Sequence, residues 1–404
     1  MLGDNLPELA PQSKYNWRDI IYGLYSIYFC GGDCIEDLGG NFKQCLLNNP
    51  LMNVSSPDRV LARLKELTET SFFDKSDRGK NYHQFSTNDM LANLNLKVLE
   101  SLKVFEEEQW VIDYDNTIIF TEKADSNMTY KRDYGYQPGV ATLNEKHILY
   151  LENRNGNCGA NTMQDRTLSR LINLISDKLD EKIVKFRADS ASYQFDVIRL
   201  IMKHNMTFYI AAKTTNLLTA IQKIETWKTS TDKMGDIVYI AEMQHTPFKH
   251  HISRTQYNNP DYQYRFVIKK KARPDGQINA FTQDAFDYTA IVTNDNTSSI
   301  EQTIDFYDKR GRMENQFDIL KNDFGWNKMP FSKLVQNTVY LFLMAICRNL
   351  YNNIITAFSK SNKSLEANFR LKKFIFRFIS IPAKWIRSAR QNVLKLFCVP
   401  HHHI

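Results

Sequence analysis

Four side chains with chemically useful groups occur at helical spacing in one segment: Tyr307, Arg310, Glu314 and Lys321. At ~100° per residue, their offsets place all four within a stripe of roughly 60° on one face of a helix. That face therefore presents a phenol, a guanidinium, a carboxylate and an ammonium together. The alternative is an ordinary surface ion pair between Arg310 and Glu314, worth only ~0.3–0.5 kcal/mol. Helix geometry alone does not decide between the two.

A second carboxylate, Asp189, follows an apolar strand in the segment Phe186-Arg187-Ala188-Asp189-Ser190. Ligands of open α/β sheets collect at the carboxyl ends of strands, which makes this aspartate a candidate metal ligand. The competing interpretation is an aspartate that caps a strand-to-helix turn. Taken by itself, this segment favours the cap.

Two further carboxylates, Asp113 and Asp115, stand two residues apart in a β-branched and aromatic run. Residues two apart on a strand share a face, so these carboxylates repel each other there. A bound cation would relieve both the repulsion and the cost of burying them. The alternative is an edge strand whose polar face is wet.

The three segments together supply carboxylates from two strands and one helix. Mg²⁺ prefers such hard oxygen ligands, and two ions ~3.5–4 Å apart can activate a water or a 3′-hydroxyl for in-line phosphoryl displacement. No candidate Ser or Cys nucleophile has a convincing histidine partner. A two-carboxylate glycosidase is disfavoured because it explains neither Arg310 and Lys321 nor the net charge of +7.

The order of the predicted elements indicates an α/β fold with a mixed sheet flanked by helices. Predicted helices occupy residues 17–29, 34–47, 57–68 and 90–105, with a loop at 74–84. Strands follow at 110–120, 136–143 and 147–153, then a helix at 162–179, a strand at 182–188, a helix at 194–203 and a strand at 207–212. Strand-rich segments at 236–244, 264–271 and 286–292 predict an inserted β-rich subdomain. Helices at 298–322 and 331–357 complete the prediction, and Asn337 and Asn349 on the apolar second one are expected to be satisfied core amides.

These patterns divide the chain into five parts. They are a helical N-terminal region (1–108), the first part of a catalytic core (109–216), a β-rich insertion (217–297), the C-terminal helices of the core (298–358) and a basic C-terminal segment (359–404).

The basic C-terminal segment is the most charged part of the chain. Residues 360–397 hold ten Lys or Arg residues and one acidic residue, interleaved with aromatic side chains. Such a balance favours a polyanionic partner, and a groove that follows a phosphate backbone is one interpretation. A solvated element whose aromatic residues pack on the core is the other. The longest apolar run, residues 339–347, is too short to span a bilayer at roughly 20 residues, so we expect a cytoplasmic protein.

The spacing Tyr307-x2-Arg310-x3-Glu314-x6-Lys321 resembles the YREK signature of bacterial insertion-sequence DDE transposases, which have a ribonuclease-H-like core. The segment around Asp189 resembles that family's second catalytic aspartate, and Asp115-Asn116-Thr117 resembles its first. The resemblance covers roughly residues 15–395, in order, and places the β-rich insertion where the family carries one.

The resemblance implies a transposase that binds the ends of an insertion sequence, cleaves them by metal-dependent hydrolysis and joins the 3′-hydroxyl ends to target DNA. Asp115, Asp189 and Glu314 would bind two Mg²⁺ ions, for which Mn²⁺ can substitute, with Asp113 as the rival to Asp115. Tyr307, Arg310 and Lys321 would contact phosphates.

It also implies a homodimer that holds two transposon ends in a synaptic complex, in the bacterial cytoplasm at the nucleoid. Further expected contacts with double-stranded DNA are Trp227, as a base-stacking residue of the insertion, and the basic residues Arg370, Lys372, Lys373 and Arg377. The alternatives are an enzyme that only cleaves DNA and a catalytically inactive DNA-binding protein on the same fold.

Overall fold

The computed structural model describes residues 5–40, 42–75, 82–179, 181–278, 282–362 and 364–397. Its N-terminal region contains α1 (Trp17–Phe29), α2 (Lys43–Leu47), α3 (Pro57–Lys65), β1 (Phe72–Lys75), β2 (Tyr82–Ser86) and α4 (Asp89–Ser101). The predicted helix at 34–47 is wrong in part, because Gly39 and Gly40 separate a short 3-10 helix from α2. The predicted loop at 74–84 is also wrong at its ends, which belong to an antiparallel hairpin; residues 76–81 lie outside the described residues.

The region predicted as a catalytic core from residue 109 onward has most of the expected strands and helices, with three corrections. The predicted strands 110–120 and 136–143 are each interrupted, the second at Pro138, which has no amide hydrogen to donate to a strand, and the predicted helix 162–179 is divided at Ile175. The observed elements are β3 (Gln109–Asn116), β4 (Ile119–Phe120), β5 (Asn127–Met128), β6 (Tyr134–Tyr136), β7 (Gly139–Leu143), β8 (His147–Arg154), α5 (Gln164–Leu174), α6 (Ser176–Leu179), β9 (Ile183–Ala188), α7 (Phe195–Lys203) and β10 (Thr207–Ala212). Strands β8, β7, β3, β9 and β10 lie side by side in that order, with β3, β9 and β10 parallel. This order is that of a ribonuclease-H-like sheet, which confirms the predicted fold class.

The segment predicted as an inserted β-rich subdomain (217–297) extends this sheet and, among the residues that the structure describes, does not form a sheet of its own. It comprises α8 (Leu218–Ile221), β11 (Lys228–Thr231), β12 (Ile237–His245), β13 (Tyr264–Ala272) and β14 (Phe286–Thr293). Strand β14 pairs antiparallel with β10, and β13, β12 and β11 follow, while β2 pairs with β8 at the opposite edge. In the described residues, eleven strands thus form one continuous mixed sheet.

Side chains alternate between the two faces of the sheet, which separates two cores. Trp110, Ile112 and Tyr114 of β3 pack on one face against α5 and α7. On the other face, Tyr209 of β10 and its neighbours pack against the next helix, α9 (Ile300–Asp308). Because the odd-numbered residues of β3 point to the α9 side, Asp113 and Asp115 lie there.

The C-terminal helices cover that second face. After α9 come α10 (Arg312–Asp323), α11 (Leu334–Ser361) and α12 (Leu371–Phe374), followed by a π-helical turn (Ile375–Ile379) and the hairpin of β15 (Ala383–Ser388) and β16 (Gln391–Leu396). Helix α11 is buried along most of its length and packs against the N-terminal helices and β8. None of the described helices is both long and apolar enough to cross a lipid bilayer.

The two asparagines of α11 are satisfied core amides, as predicted. Asn337 exchanges two 3.0 Å hydrogen bonds with the backbone of Phe331. Asn349 accepts from the Ile148 amide at 2.8 Å and donates to the Asn95 side chain at 2.9 Å, so that it joins α11, β8 and α4. A buried amide bonded on both sides fixes the position of a largely apolar helix.

We expect Asn349→Ala to lower the free energy of unfolding by about 2–4 kcal/mol, because it leaves the buried Asn95 amide without this partner and opens a cavity. The exposed Asn353 on the same helix is the matched control, and Asn353→Ala should change the stability by less than about 0.5 kcal/mol. Urea unfolding of the two variants measures both values. Equal effects would contradict the bridging role of Asn349.

Candidate active site

The candidate carboxylates meet where β3 and β9 end. In the parallel register of these strands, Asp113 pairs with Arg187 and Tyr114 with Ala188, so Asp115 and Asp189 come next to each other at the carboxyl edge. The Asp189 side chain accepts a 3.0 Å bond from the Ala191 amide and caps the 3-10 turn Ser190–Ser192. The capping interpretation of Asp189 is therefore correct, and it is compatible with a place in the site.

Asp115 is held in an environment that opposes its negative charge. Its side chain is only 16% exposed. Burial, and after it the negative charge of Asp189, raises the pKa of Asp115 to about 6. Arg310 opposes this shift through its Nη1 atom, 3.0 Å from Asp115 Oδ2. A carboxylate whose ionisation is this costly, with a second carboxylate beside it, is suited to bind a cation.

The segment that carries the four-residue pattern was predicted as one continuous helix over residues 298–322. This prediction is wrong, because a 3-10 turn (Lys309–Gly311) separates α9 from α10. Gly311, the cap of α10, has a low helix propensity and stands at the break. The side chains of the pattern nevertheless reach the ends of β3 and β9. The Tyr307 hydroxyl donates to the Ala188 carbonyl at 3.3 Å, and Lys321 Nζ donates to the Ile118 carbonyl at 2.7 Å.

Arg310 bridges the strand and helix parts of the site. Its Nη2 atom lies 3.6 Å from Glu314 Oε1, while Nη1 binds Asp115. The Glu314 side chain is 74% exposed, so its carboxylate stands at the open side of the site. The i, i+4 pair expected for a surface helix thus exists, but its arginine simultaneously binds Asp115 on the strand.

The three carboxylates stand apart from one another. Among the described residues, only Asp33, Cys34 and Asp37 form a three-residue group whose potential ligand atoms all lie within 4.8 Å. Asp115, Asp189 and Glu314 are therefore spread more widely than a closed metal cage. The guanidinium of Arg310 supplies positive charge between Asp115 and Glu314.

Asp113, the rival to Asp115, is fully engaged elsewhere. Arg187 Nε and Nη2 donate to its two carboxylate oxygens, each at 2.7 Å, and the exposed fractions of the two side chains are 1% and 0%. Arg187 also donates to the Phe306 carbonyl at 2.7 Å and lies 2.8 Å from Glu145 Oε1. Both oxygens of Asp113 are thus taken, which leaves Asp115 at the open edge.

Sequence reasoning missed the network around Arg187. Glu145, in the turn between β7 and β8, binds both Arg187 and Arg312 at the start of α10. The sequence did contain a signal for this network. Arg187 is a cation inside one predicted apolar strand, and Asp113 is a carboxylate inside another. Burying an unpaired charge costs so much free energy that a buried arginine predicts a buried carboxylate beside it, and a buried carboxylate predicts a buried cation.

The remaining predicted DNA contacts lie outside this cluster. Trp227 is partly buried, its indole N–H donates to the Ile224 carbonyl, and Lys270 Nζ lies 4.0 Å from its ring centre. Arg370 forms ion pairs with Asp318 and Asp323 of α10.

The other basic residues predicted in the C-terminal segment are exposed. Lys373 and Arg377 lie over the Phe369 ring, at 3.8 and 5.5 Å from its centre, and Lys372 is exposed. Phe369 itself is buried. The inward packing of aromatic rings expected from the second interpretation is thus present for Phe369, while the groove that follows a phosphate backbone stays a prediction.

Comparison with known proteins gives a family and several solved structures. The model of the family described as "Transposase DDE domain group 1" matches residues 40–403. A cryo-EM structure of piggyBac transposase in a synaptic complex with hairpin DNA is similar at 11% identity, covering 91% of this chain and 71% of that chain, with a TM-score of 0.48. A Mos1 transposase paired-end complex with the left transposon end is similar at 11% identity, covering 50% of this chain and 60% of that chain, with a TM-score of 0.20. A search of curated proteins found no match.

We expect Asp115→Asn to stabilise the protein by about 1 kcal/mol more at about pH 7.5 than at about pH 5, with a chelator present. The folded-state pKa of Asp115 is about 6, whereas an aspartate of the unfolded chain titrates near ~3.9. Between these values the folded protein keeps a proton that the unfolded chain has lost. The contribution of Asp115 to the free energy of unfolding of the wild type therefore falls as the pH rises through this window and is constant above it. Asparagine at this position does not titrate, so the variant lacks this pH dependence.

Urea unfolding of wild type and variant at both pH values measures this difference. The exposed Asp305 on α9 provides the matched control, and Asp305→Asn is measured at the same two pH values. A gain from Asp115→Asn that is equal at both pH values would contradict the unfavourable environment assigned to Asp115.

Proposed function

The chain belongs to the transposase DDE domain group 1 family, and on this premise we propose that it binds the ends of a mobile DNA element, cleaves them by metal-dependent hydrolysis and joins the 3′-hydroxyl ends to target DNA. The observation that carries the proposal is the half-buried pair of Asp115 and Asp189 at the carboxyl ends of the central strands of a ribonuclease-H-like sheet, with Arg310 linking Asp115 to Glu314. The YREK signature at Tyr307, Arg310, Glu314 and Lys321, and an origin in a bacterial insertion sequence, are parts of the same proposal.

DDE transposases use divalent metal ions, and we propose that Asp115, Asp189 and Glu314 hold two Mg²⁺ ions here, with Mn²⁺ as a substitute. The residues fit such ions because the donors are all hard carboxylate oxygens and because burial and like charge already oppose the ionised form of Asp115. When bound, the ions would lower the pKa of an attacking water or 3′-hydroxyl and stabilise the leaving oxygen.

The basic residues of the pattern would orient the DNA strand. If a cation neutralises Asp115, the guanidinium of Arg310 can bind a phosphate of the DNA strand instead. A guanidinium binds two phosphate oxygens at once. Burial lowers the pKa of Lys321, whose ammonium lies beside the loop that follows β3. A phosphate there would favour its charged form. Tyr307, whose hydroxyl meets the end of β9, would contact the same strand.

We propose the remaining DNA contacts from the charge and the exposure of the side chains concerned. Lys372, Lys373 and Arg377 are exposed and would bind phosphates of double-stranded DNA, and Trp227 would stack on a base. Arg370, which is held by Asp318 and Asp323, would instead fix the basic C-terminal segment to α10. The N-terminal region (1–108) would recognise the terminal repeats. We further propose a homodimer that holds two ends in a synaptic complex at the nucleoid of a bacterial cytoplasm.

A second candidate function is a DNA-binding protein on the same fold that only cleaves DNA or has no activity. The observation that favours it is the separation of the three carboxylates, with Arg310 between two of them and Glu314 turned to solvent. The two functions differ in whether the carboxylates can be brought to metal ions when DNA is bound.

We expect Asp189→Asn and Glu314→Gln each to abolish Mg²⁺-dependent cleavage, by at least about 1,000-fold, because each removes a metal-binding oxygen charge. Affinity for the same DNA should stay within about threefold of wild type, since neither carboxylate attracts phosphates. The substrate is labelled DNA that carries the boundary of the element encoding this chain. Asp305→Asn is the control and should cleave normally. Retained cleavage by either active-site variant would refute the metal assignment, and binding without cleavage by wild type would favour the second candidate function.

We expect the variant Lys372→Gln/Lys373→Gln/Arg377→Gln to bind DNA less tightly and with a weaker salt dependence. Each lost phosphate contact lowers the slope of log affinity against log salt by about 0.9, so the slope should fall by about 2–3. The control removes the same charge from three exposed lysines outside the segment: Lys223, Lys233 and Lys333. Fluorescence anisotropy across a salt series measures both variants, and equal slopes would place the basic C-terminal segment off the DNA.

A further inference from the structure

A small three-stranded sheet, formed by β4, β6 and β5 in that order, stands beside the candidate active site. Only two residues separate β4 from the end of β3, the strand that carries Asp115. A bridge between Tyr136 and Asn155 ties the small sheet to the end of β8, and Asp125 accepts the Leu334 amide of α11 at 2.8 Å. The small sheet is therefore fixed to the core on two sides.

The small sheet exposes large side chains that folded proteins usually bury. Met128 of β5 and Tyr134 of β6 are a cross-strand pair, and each is 47% exposed. Tyr130, in the turn that joins these two strands, is 70% exposed. A group of exposed large side chains at one end of a rigid element marks a binding surface.

The turn between β5 and β6 also brings positive charge to the candidate site. Lys131 and Arg132 are exposed, and neither side chain is paired with a carboxylate of the described residues. Burial, and after it the positive charge of Lys131, lowers the pKa of Lys321, whose Nζ binds the Ile118 carbonyl at the start of the small sheet. The two ammonium groups therefore lie near each other, and an anion between them would relieve their repulsion.

The carboxylates nearby do not cancel these three cations. Asp133 is the acidic residue of the turn. Asp318, which lies near Lys321, forms an ion pair with Arg370. In the loop after β4, the charges of Glu122 and Lys123 offset each other. A surplus of positive charge thus remains at the end of β3, which favours a polyanionic partner.

The small sheet and the β-rich insertion lie on opposite sides of the candidate carboxylates. In the large sheet, β7 and β8 lie on one side of β3 and β9, whereas β10 and the strands of the insertion lie on the other. The bridge to β8 puts the small sheet on the first side. A DNA strand that crosses Asp115 and Asp189 therefore meets the insertion on one side of the reacting phosphate and the small sheet on the other.

We propose that the small sheet binds the duplex that flanks the mobile element, on the outer side of the phosphate that is cleaved. Lys131 and Arg132 would bind phosphates of this flank next to the one bound by Lys321, and Tyr130 would contact the adjacent sugar-phosphate backbone. The proposal rests on the proposed function, which assigns the end of the element to the insertion. DNA is favoured over a protein partner because the surface is positively charged and continuous with the candidate active site.

The test compares two DNA substrates that differ only in the flank. Both carry the end of the element, and one continues for about 15 base pairs, roughly one and a half helical turns, beyond the cleavage point. Binding is measured by fluorescence anisotropy across a salt series, with Ca²⁺ in place of Mg²⁺. We expect wild type to bind the flanked DNA about 10-fold more tightly, and Lys131→Gln/Arg132→Gln to lose most of this preference. On flanked DNA alone, the slope of log affinity against log salt should fall by about 2 in this variant, at about 0.9 for each phosphate contact.

Two more variants keep the result interpretable. Tyr130→Ala, an exposed change that should leave folding intact, is expected to weaken binding about threefold, and only to flanked DNA. Lys203→Gln/Lys223→Gln removes two exposed charges outside the small sheet and should keep the wild-type preference for the flank. Equal binding of the two substrates by wild type, or a loss in Lys131→Gln/Arg132→Gln that is the same on both, would overturn the proposal. Failure of wild type to bind either substrate would instead refute the proposed function.

Discussion

The buried ion pair of Asp113 and Arg187 is the interaction on which the candidate active site depends. Two charges removed from water are stable only when every polar atom is bonded, and Arg187 meets this condition through Asp113, Glu145 and the Phe306 carbonyl. Its bonds therefore join β3, β9, the β7–β8 turn and α9. A slip of β9 by one residue would turn Arg187 into the apolar core and break all of them.

The same network helps to set the positions of two of the three candidate metal ligands. Asp113 and Arg187 each lie two residues before one of them, namely Asp115 and Asp189. On a strand, that spacing puts the structural charge and the functional charge on one face, at successive depths. The deeper layer is neutralised within the fold. In the outer layer, Arg310 neutralises Asp115 only in part, so the pKa of Asp115 remains raised and a cation is favoured there.

Much of the fold follows from local pattern, and the exceptions have physical reasons. The central strands and those of the insertion were predictable because apolar residues alternate along them or fill them, and Asp189 was recognisable at a strand end. Pairing between distant segments was not, so the sequence did not show that β14 would join β10 or that Asp113 would be taken by Arg187. The break at Gly311 and the short β1–β2 hairpin escaped notice because weak local preferences are decided by tertiary contacts. Aromatic side chains of the basic C-terminal segment, such as Phe369, also pack inward because of tertiary contacts. Counting the charges of the segment does not reveal those contacts.

The outermost strand of the sheet is tied to strands nearer its middle by one side chain. Five strand-to-strand steps separate β9 from β11. The ring of Trp227, just before β11, nevertheless lies 6.3 Å from the Tyr288 ring on β14 and 4.0 Å from Lys270 Nζ on β13. A displacement of β11 would therefore disturb β13 and β14 as well, so that the rim of the sheet moves together with its interior.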